Sequence, residues 1–216
     1  MKKLFAILFL LCCVGCGDNI STDGAKEVLD YDSVIESENS IVVSILVDSS
    51  GSMNEKNKWQ SVKEVLVKLS DVLDGYQSKH NNVYVILYTF RTKTEIFLYD
   101  RERFLREIGG LPNPNGNTPL GEVTEYICDN MPQKGKKHLF ILTDGEENGN
   151  VPIERVLQSN EGKASVYFVA FDFNKKNYER LGKHAKMFQA DNKDELDAVV
   201  FEVFTKNILV EKEDDE

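Results

Sequence analysis

Ile41-Val42-Val43-Ser44-Ile45-Leu46-Val47, followed at once by Asp48-Ser49-Ser50-Gly51-Ser52-Met53, is the stretch on which the reading of this chain turns. The run up to Val47 is almost wholly apolar, mostly β-branched and short. It predicts a strand buried on both faces of a parallel sheet. The strand ends on a carboxylate, then two hydroxyls spaced by two, with Gly51 allowing a tight turn. In open α/β sheets ligands gather beyond the carboxyl ends of strands, which is where this loop falls. One carboxylate and two serine hydroxyls are hard oxygen donors, suited to Mg²⁺ or Mn²⁺ rather than to zinc. Taken alone, the loop is equally ordinary turn and helix-cap chemistry.

Outward from this stretch the pattern alternates. Lys58 to Leu73 carries Trp59, Val62, Val65, Leu66, Leu69, Val72 and Leu73 at helical spacing. Asn82 to Phe90 predicts a strand, and Thr94 to Tyr99 a hairpin partner turning at Arg91-Thr92-Lys93. Further on, helices are predicted over Arg101–Ile108, Thr118–Asn130, Pro152–Ser159, Lys175–Gly182 and Lys193–Asn207. Strands are predicted over Lys137–Thr143, Ala164–Phe171 and His184–Gln189. Such alternation predicts a doubly wound α/β domain over residues 40–209: a mostly parallel central sheet, one antiparallel edge strand and helices on both faces. In the closing helix, Leu196, Val199, Val200 and Val203 form the expected buried face.

Two segments complete the first loop. Asn117-Thr118-Pro119 follows a Pro/Asn/Gly-rich loop and opens a helix, and the Lys137–Thr143 strand runs directly into Asp144-Gly145-Glu146-Glu147-Asn148. A DxSxS loop, a Thr at a loop-to-helix junction and a strand-terminal Asp-Gly, in that order, resemble the von Willebrand factor A-type family with its metal-ion-dependent adhesion site. The resemblance covers nearly all of residues 40–209. It implies a Rossmann-like fold and metal positions at Asp48, Ser50, Ser52, Thr118 and Asp144, with Mg²⁺ or Mn²⁺ ahead of Ca²⁺ as the ion. Glu146, Glu147 and Asn148 would rim the site, or simply be exposed turn residues.

Met1-Lys2-Lys3, an apolar run from Leu4 to Leu11 too short to span a bilayer, and Cys12-Cys13-Val14-Gly15-Cys16 resemble a bacterial lipoprotein signal. The departure is Cys13, where the pattern usually has Leu. The resemblance implies a signal over 1–15 and acylation of Cys16, and so a lipid-anchored, extracytoplasmic position in the cell envelope: an outer membrane or cell surface in a diderm. Residues 16–39 are expected to form an acylated start and flexible tether, and 210–216 an acidic tail. Loss of residues 1–15 removes Lys2 and Lys3 and takes the formal charge from −10 to −12. That argues against nucleic acid and anionic lipid surfaces as partners. Of the four cysteines only Cys128 would remain as a thiol, among Val123, Tyr126, Ile127 and Met131, as a buried small hydrophobe.

The function expected is protein binding, through a cation whose open position accepts a partner's Asp or Glu carboxylate, and not catalysis. A metal-dependent phosphoester hydrolase and a structural envelope domain are the alternatives. Phosphoryl transfer needs cationic groups around the phosphate. The only lysines near the first loop, Lys56 and Lys58, are expected to be solvated, and His80, His138 and His184 are scattered.

Overall fold

The computed structural model describes residues 31–145, 147–173 and 175–210. Six strands form one sheet: β1 (Ile41–Val47), β2 (Val83–Tyr88), β3 (Phe97–Leu98), β4 (Lys136–Thr143), β5 (Ser165–Phe171) and β6 (Lys186–Ala190), in the spatial order β3-β2-β1-β4-β5-β6. All pairings are parallel except that of β2 with the edge strand β3. The doubly wound sheet with one antiparallel edge is the one expected. Its order reverses between β1 and β4, so the carboxyl ends of these two neighbours flank a topological switch point.

The sheet is buried on both sides because its central strands are apolar along most of their length, and the one polar residue of β1, Ser44, is itself buried. Ile41, Val43, Ile45 and Val47 face one cluster, with α1 (Lys58–His80), α2 (Arg101–Gly110) and α5 (Lys193–Val203). Val42 and Leu46 face the other, with α3 (Leu120–Asp129) and α4 (Ile153–Ser159). The expected buried face of α5 is present: Leu196, Val200 and Val203 are buried and Val199 packs against them. Among the described residues no helix is long and apolar enough to cross a membrane.

Several elements differ from expectation. Helix α1 runs on to His80 and stops at Asn81, whose φ of 48° ends the helix in the left-handed region. The last turn is held by buried Gln77, whose Oε1 accepts from Val83 N at 2.9 Å and whose Nε2 donates to Asn81 Oδ1 at 3.1 Å. The expected hairpin from Thr94 shrinks to Phe97–Leu98. Before it, Thr94 caps the end of β2 instead, its N donating to Leu87 O and its hydroxyl accepting from Leu87 N. Lys175–Lys183 is a 3-10 stretch broken at Tyr178, and α5 passes at Phe204–Ile208 into a π turn.

The tether expected over 16–39 does not run free to Asn39. Tyr31 and Ile35 are buried in the α3–α4 cluster, and Asp32 Oδ1 accepts from Gln133 N at 2.9 Å and Lys134 N at 3.0 Å. Two large side chains placed four apart explain the docking. The signal, Cys16 and the tail from 211 lie outside the described residues.

Candidate functional site

Three loops meet beyond the carboxyl ends of β1 and β4. The first leaves β1 at Asp48, the second (residues 111–119) precedes α3, and the third leaves β4 at Asp144. Parallel pairing sets the first and third side by side, since Val47 is level with Leu142 and Asp48 N donates to Leu142 O at 2.8 Å. The second loop is stitched to the first by backbone: Asn115 N donates to Ser49 O at 2.8 Å and Gly51 N to Gly116 O at 3.0 Å. Asn54 Nδ2 adds a bond to Pro114 O at 2.8 Å.

The five residues expected as metal positions are all carried by these loops. Ser50 Oγ is 3.0 Å from Ser52 Oγ, and Ser52 donates to Asp144 Oδ1 at 2.8 Å. A Cβ placed on Gly145 would lie 3.6 Å from both Ser52 Oγ and Thr118 Oγ1, so hydroxyls from two loops face one point against a glycine. Asp48 is fully buried, its Oδ1 accepting from Ser50 N at 2.7 Å and its Oδ2 from Thr143 Oγ1 at 2.6 Å. Burial pushes the Asp48 carboxyl above the ordinary range, with the bonds from Ser50 and Thr143 opposing. Among the described residues no cation pairs with Asp48.

Lys58 departs from expectation. It is not solvated: its side chain is 7% exposed, and its Nζ donates to Asp144 Oδ2 at 2.7 Å and lies 3.6 Å from Asp172 Oδ2. Burial works against its charge. The hydrogen bond and charge of Asp144, with Asp172 behind, outweigh that, and its pKa sits above the ordinary lysine value. A positive group therefore stands beside the loops, although it is committed to carboxylates. No sequence motif announces it, because a lysine at a helix start is ordinarily a surface residue.

The expected rim also reads differently. Glu146 lies outside the described residues. Glu147 and Asn148 are neither free turn residues nor groups turned toward the hydroxyls. Glu147 Oε1 accepts from Gly121 N at 2.8 Å and Ile153 N at 3.0 Å, clasping the starts of α3 and α4. Acceptors at helix N-termini satisfy N–H groups that have no partner within the helix. Burial raises the Glu147 carboxyl above its usual value despite those two bonds. Asn148 Oδ1 accepts from Thr118 N at 2.7 Å, fixing the residue that carries the second loop's hydroxyl. Tyr178 Oη accepts from Glu147 N at 2.8 Å and donates to Gly145 O at 3.2 Å. Gly121 is required here: a Cβ would stand 1.7 Å from Val151 O.

The donor set fits a hard divalent cation. It holds three hydroxyls and two carboxylates, and one carboxylate is buried without a counter-charge. Among the described residues there is no grouping of three or more His, Cys, Asp or Glu that could hold a metal ion.

A doubly wound sheet carrying such loops at its switch point defines a class of α/β ligand-binding domains. Within that class, the sequence profile of the von Willebrand factor type A domain matches residues 43–202, and the chain belongs to that family. The uncharacterized protein YwmC of Bacillus subtilis is 25% identical over 165 residues, which is 67% of this chain and 72% of that protein. Two solved structures share the fold. The pilus adhesin SpaC from Lactobacillus rhamnosus GG aligns with a TM-score of 0.66 at 13% identity, over 79% of this chain and 31% of the adhesin. Proximal thread matrix protein 1 from the mussel byssus, with its MIDAS motif occupied by zinc, gives 0.59 at 16%, over 78% of this chain and 48% of its own. The chain thus spans about a third of the adhesin and half of the byssus protein.

Proposed function

We propose that this domain binds a protein partner through a Mg²⁺ or Mn²⁺ ion held by Asp48, Ser50, Ser52, Thr118 and Asp144. The carrying observation is the unbroken run of polar oxygens from Ser50 through Ser52 to Asp144, at 3.0 and 2.8 Å, on loops brought together at the switch point. Ser50, Ser52 and Thr118 offer neutral hydroxyls, while Asp48 and Asp144 supply charge. The ion supplies the positive centre and a free coordination position, on which a partner's Asp or Glu carboxylate seats. Thr143 holds Asp48, and Asn148 and Glu147 hold the Thr118 junction, so the donors are set before a ligand arrives. The adhesin and the zinc-occupied byssus protein among the structural relatives support this reading. On the same proposal, Cys16 carries lipid and the domain stands outside the cytoplasm, tethered to a membrane of the cell envelope; Cys16→Ser would release it from the membrane fraction.

The test is thermal unfolding with and without Mg²⁺ or Mn²⁺. Ligand at a hundred times its dissociation constant stabilises by about 2.7 kcal/mol, which for a domain of this size raises Tm by roughly 5–10 °C. Asp48→Ala or Ser52→Ala abolishes the shift. Wild-type protein indifferent to millimolar Mg²⁺ and Mn²⁺ overturns the proposal.

A further inference from the structure

The turn that delivers Lys58 to the site is an unusual one. Lys56 and Asn57 are consecutive non-glycine residues in the left-handed region, at φ 49° and 60°, and α1 begins at the next residue. Asp172, at the end of β5, also sits at φ 49°. Of the four non-glycine residues with positive φ in the described chain, three therefore surround one lysine. Each such conformation costs on the order of 1 kcal/mol and persists only where the surroundings enforce it, characteristically at functional positions. The result is a relay of charges. Asp144 Oδ1 takes the Ser52 hydroxyl while its Oδ2 takes the Lys58 ammonium at 2.7 Å. Asp172 Oδ2 lies 3.6 Å from the same ammonium and 2.8 Å from Lys56 Nζ, which is largely exposed.

We propose that Lys58 is a tethered counter-cation that competes with the divalent ion for the charge of Asp144, with Asp172 as the seat to which the ammonium withdraws when the ion binds. This rests on the cation-site reading above and assigns a regulating residue to that site. The physical argument is short. A buried carboxylate without a cation is expensive, so in the metal-free domain the ammonium neutralises Asp144. A divalent ion drawn to the adjoining hydroxyls brings two further positive charges close to that ammonium, in surroundings where screening is weak. The Lys58–Asp144 contact then loses its advantage. Asp172 is within reach of the same Nζ, and the exposed Lys56 is free to leave it for solvent. The domain so keeps a neutralised site when metal is scarce, at the expense of affinity for the ion.

A double-mutant cycle read by Mn²⁺ titration calorimetry, with unfolding in EDTA as a second readout, tests this. Lys58→Met is expected to bind Mn²⁺ roughly tenfold more tightly, within the range of ordinary site-to-site coupling, and to unfold more easily without metal. Asp172→Asn is expected to bind more weakly in the wild-type background and to have little effect on top of Lys58→Met, where no ammonium needs the seat. Lys58→Gln, which keeps a donor toward Asp144, provides the same comparison should the methionine variant fold poorly. Folding of either variant only in the presence of Mn²⁺ is the same expected result read through stability. Binding by Lys58→Met that is unchanged or weaker than wild type overturns the competition. An Asp172→Asn effect of equal size in both backgrounds overturns the withdrawal to Asp172. Absence of Mn²⁺ binding in every variant, wild type included, overturns the cation site itself.

Discussion

Replacing Glu147 separates a bracing role from a metal-binding one. Its carboxylate accepts from Gly121 N at 2.8 Å through Oε1, and from Ile153 N at 3.0 Å through Oε1 and 3.1 Å through Oε2. Glu147→Ala strips the acceptor from both helix starts. Bonds to a charged group contribute about 1.5–3 kcal/mol each, so two lost bonds amount to roughly 4 kcal/mol. Part of that is returned because the partly buried carboxylate no longer has to be desolvated, which leaves a loss of about 2–3 kcal/mol. At roughly 2–4 °C per kcal/mol, the melting temperature falls by about 5–10 °C. Glu147→Gln keeps an oxygen where Oε1 stands and is expected to lose about 1 kcal/mol or less. Urea unfolding in EDTA measures both variants. An alanine variant within about 0.5 kcal/mol of wild type refutes the brace, as does a glutamine variant equally damaged.

Two further expectations concern buried titratable groups. His138 is held down to a pKa of about 4 by burial, with Lys136 and Lys186 adding to it. Folded protein keeps this imidazole neutral while the unfolded chain protonates near pH 6.5. Protons are therefore taken up on unfolding between these values, and stability present above pH 6.5 is lost as pH falls toward 4, by about 3 kcal/mol in all. His138→Phe is expected to flatten unfolding free energy across that window; a slope equal to wild type counts against it. Cys128, buried and with its thiol pushed up to about 11 by desolvation, is expected to resist a thiol reagent at neutral pH until denaturant is added. Rapid labelling of the native domain would contradict its placement.

The architecture was legible because its strongest signals are local. IVVSILV and the LFIL of KHLFILT are apolar on both faces, which marks each as a central strand of a parallel sheet, while their adjacency is visible only in the fold. The five candidate positions were legible because each sits at a strand end or helix junction, which sequence marks with Asp, Ser, Gly and Pro. Contacts between distant segments left no such mark. Thr143 reads simply as the last residue of a strand, yet its hydroxyl holds Asp48. Lys58 reads as a solvated helix start because the left-handed pair Lys56-Asn57 that turns it inward has no glycine to announce it. Glu147 and Asn148 read as turn residues because their partners, Gly121, Ile153 and Thr118, are supplied by helices that pack across the loop. The hairpin is shorter than expected for the converse reason: Thr94 bonds Leu87 at the end of β2, and only Phe97–Leu98 pair in a ladder.

The docking of Tyr31 and Ile35 has a mechanical consequence. The segment enters β1 through Ser40, and the three loops lie beyond the other end of a seven-residue strand, roughly 23 Å away. A pull between a ligand held on those loops and the chain preceding Tyr31 would load β1 along its length. β1 is bonded on both sides, to β2 and to β4, over nearly its whole run, so the tension falls as shear on two parallel ladders at once. The Tyr31–Ile35 clasp, by contrast, would be peeled off its face one contact at a time and yield first. The domain would then lengthen by a few residues of slack before its sheet felt the full force, like a stitch that tears to spare the cloth.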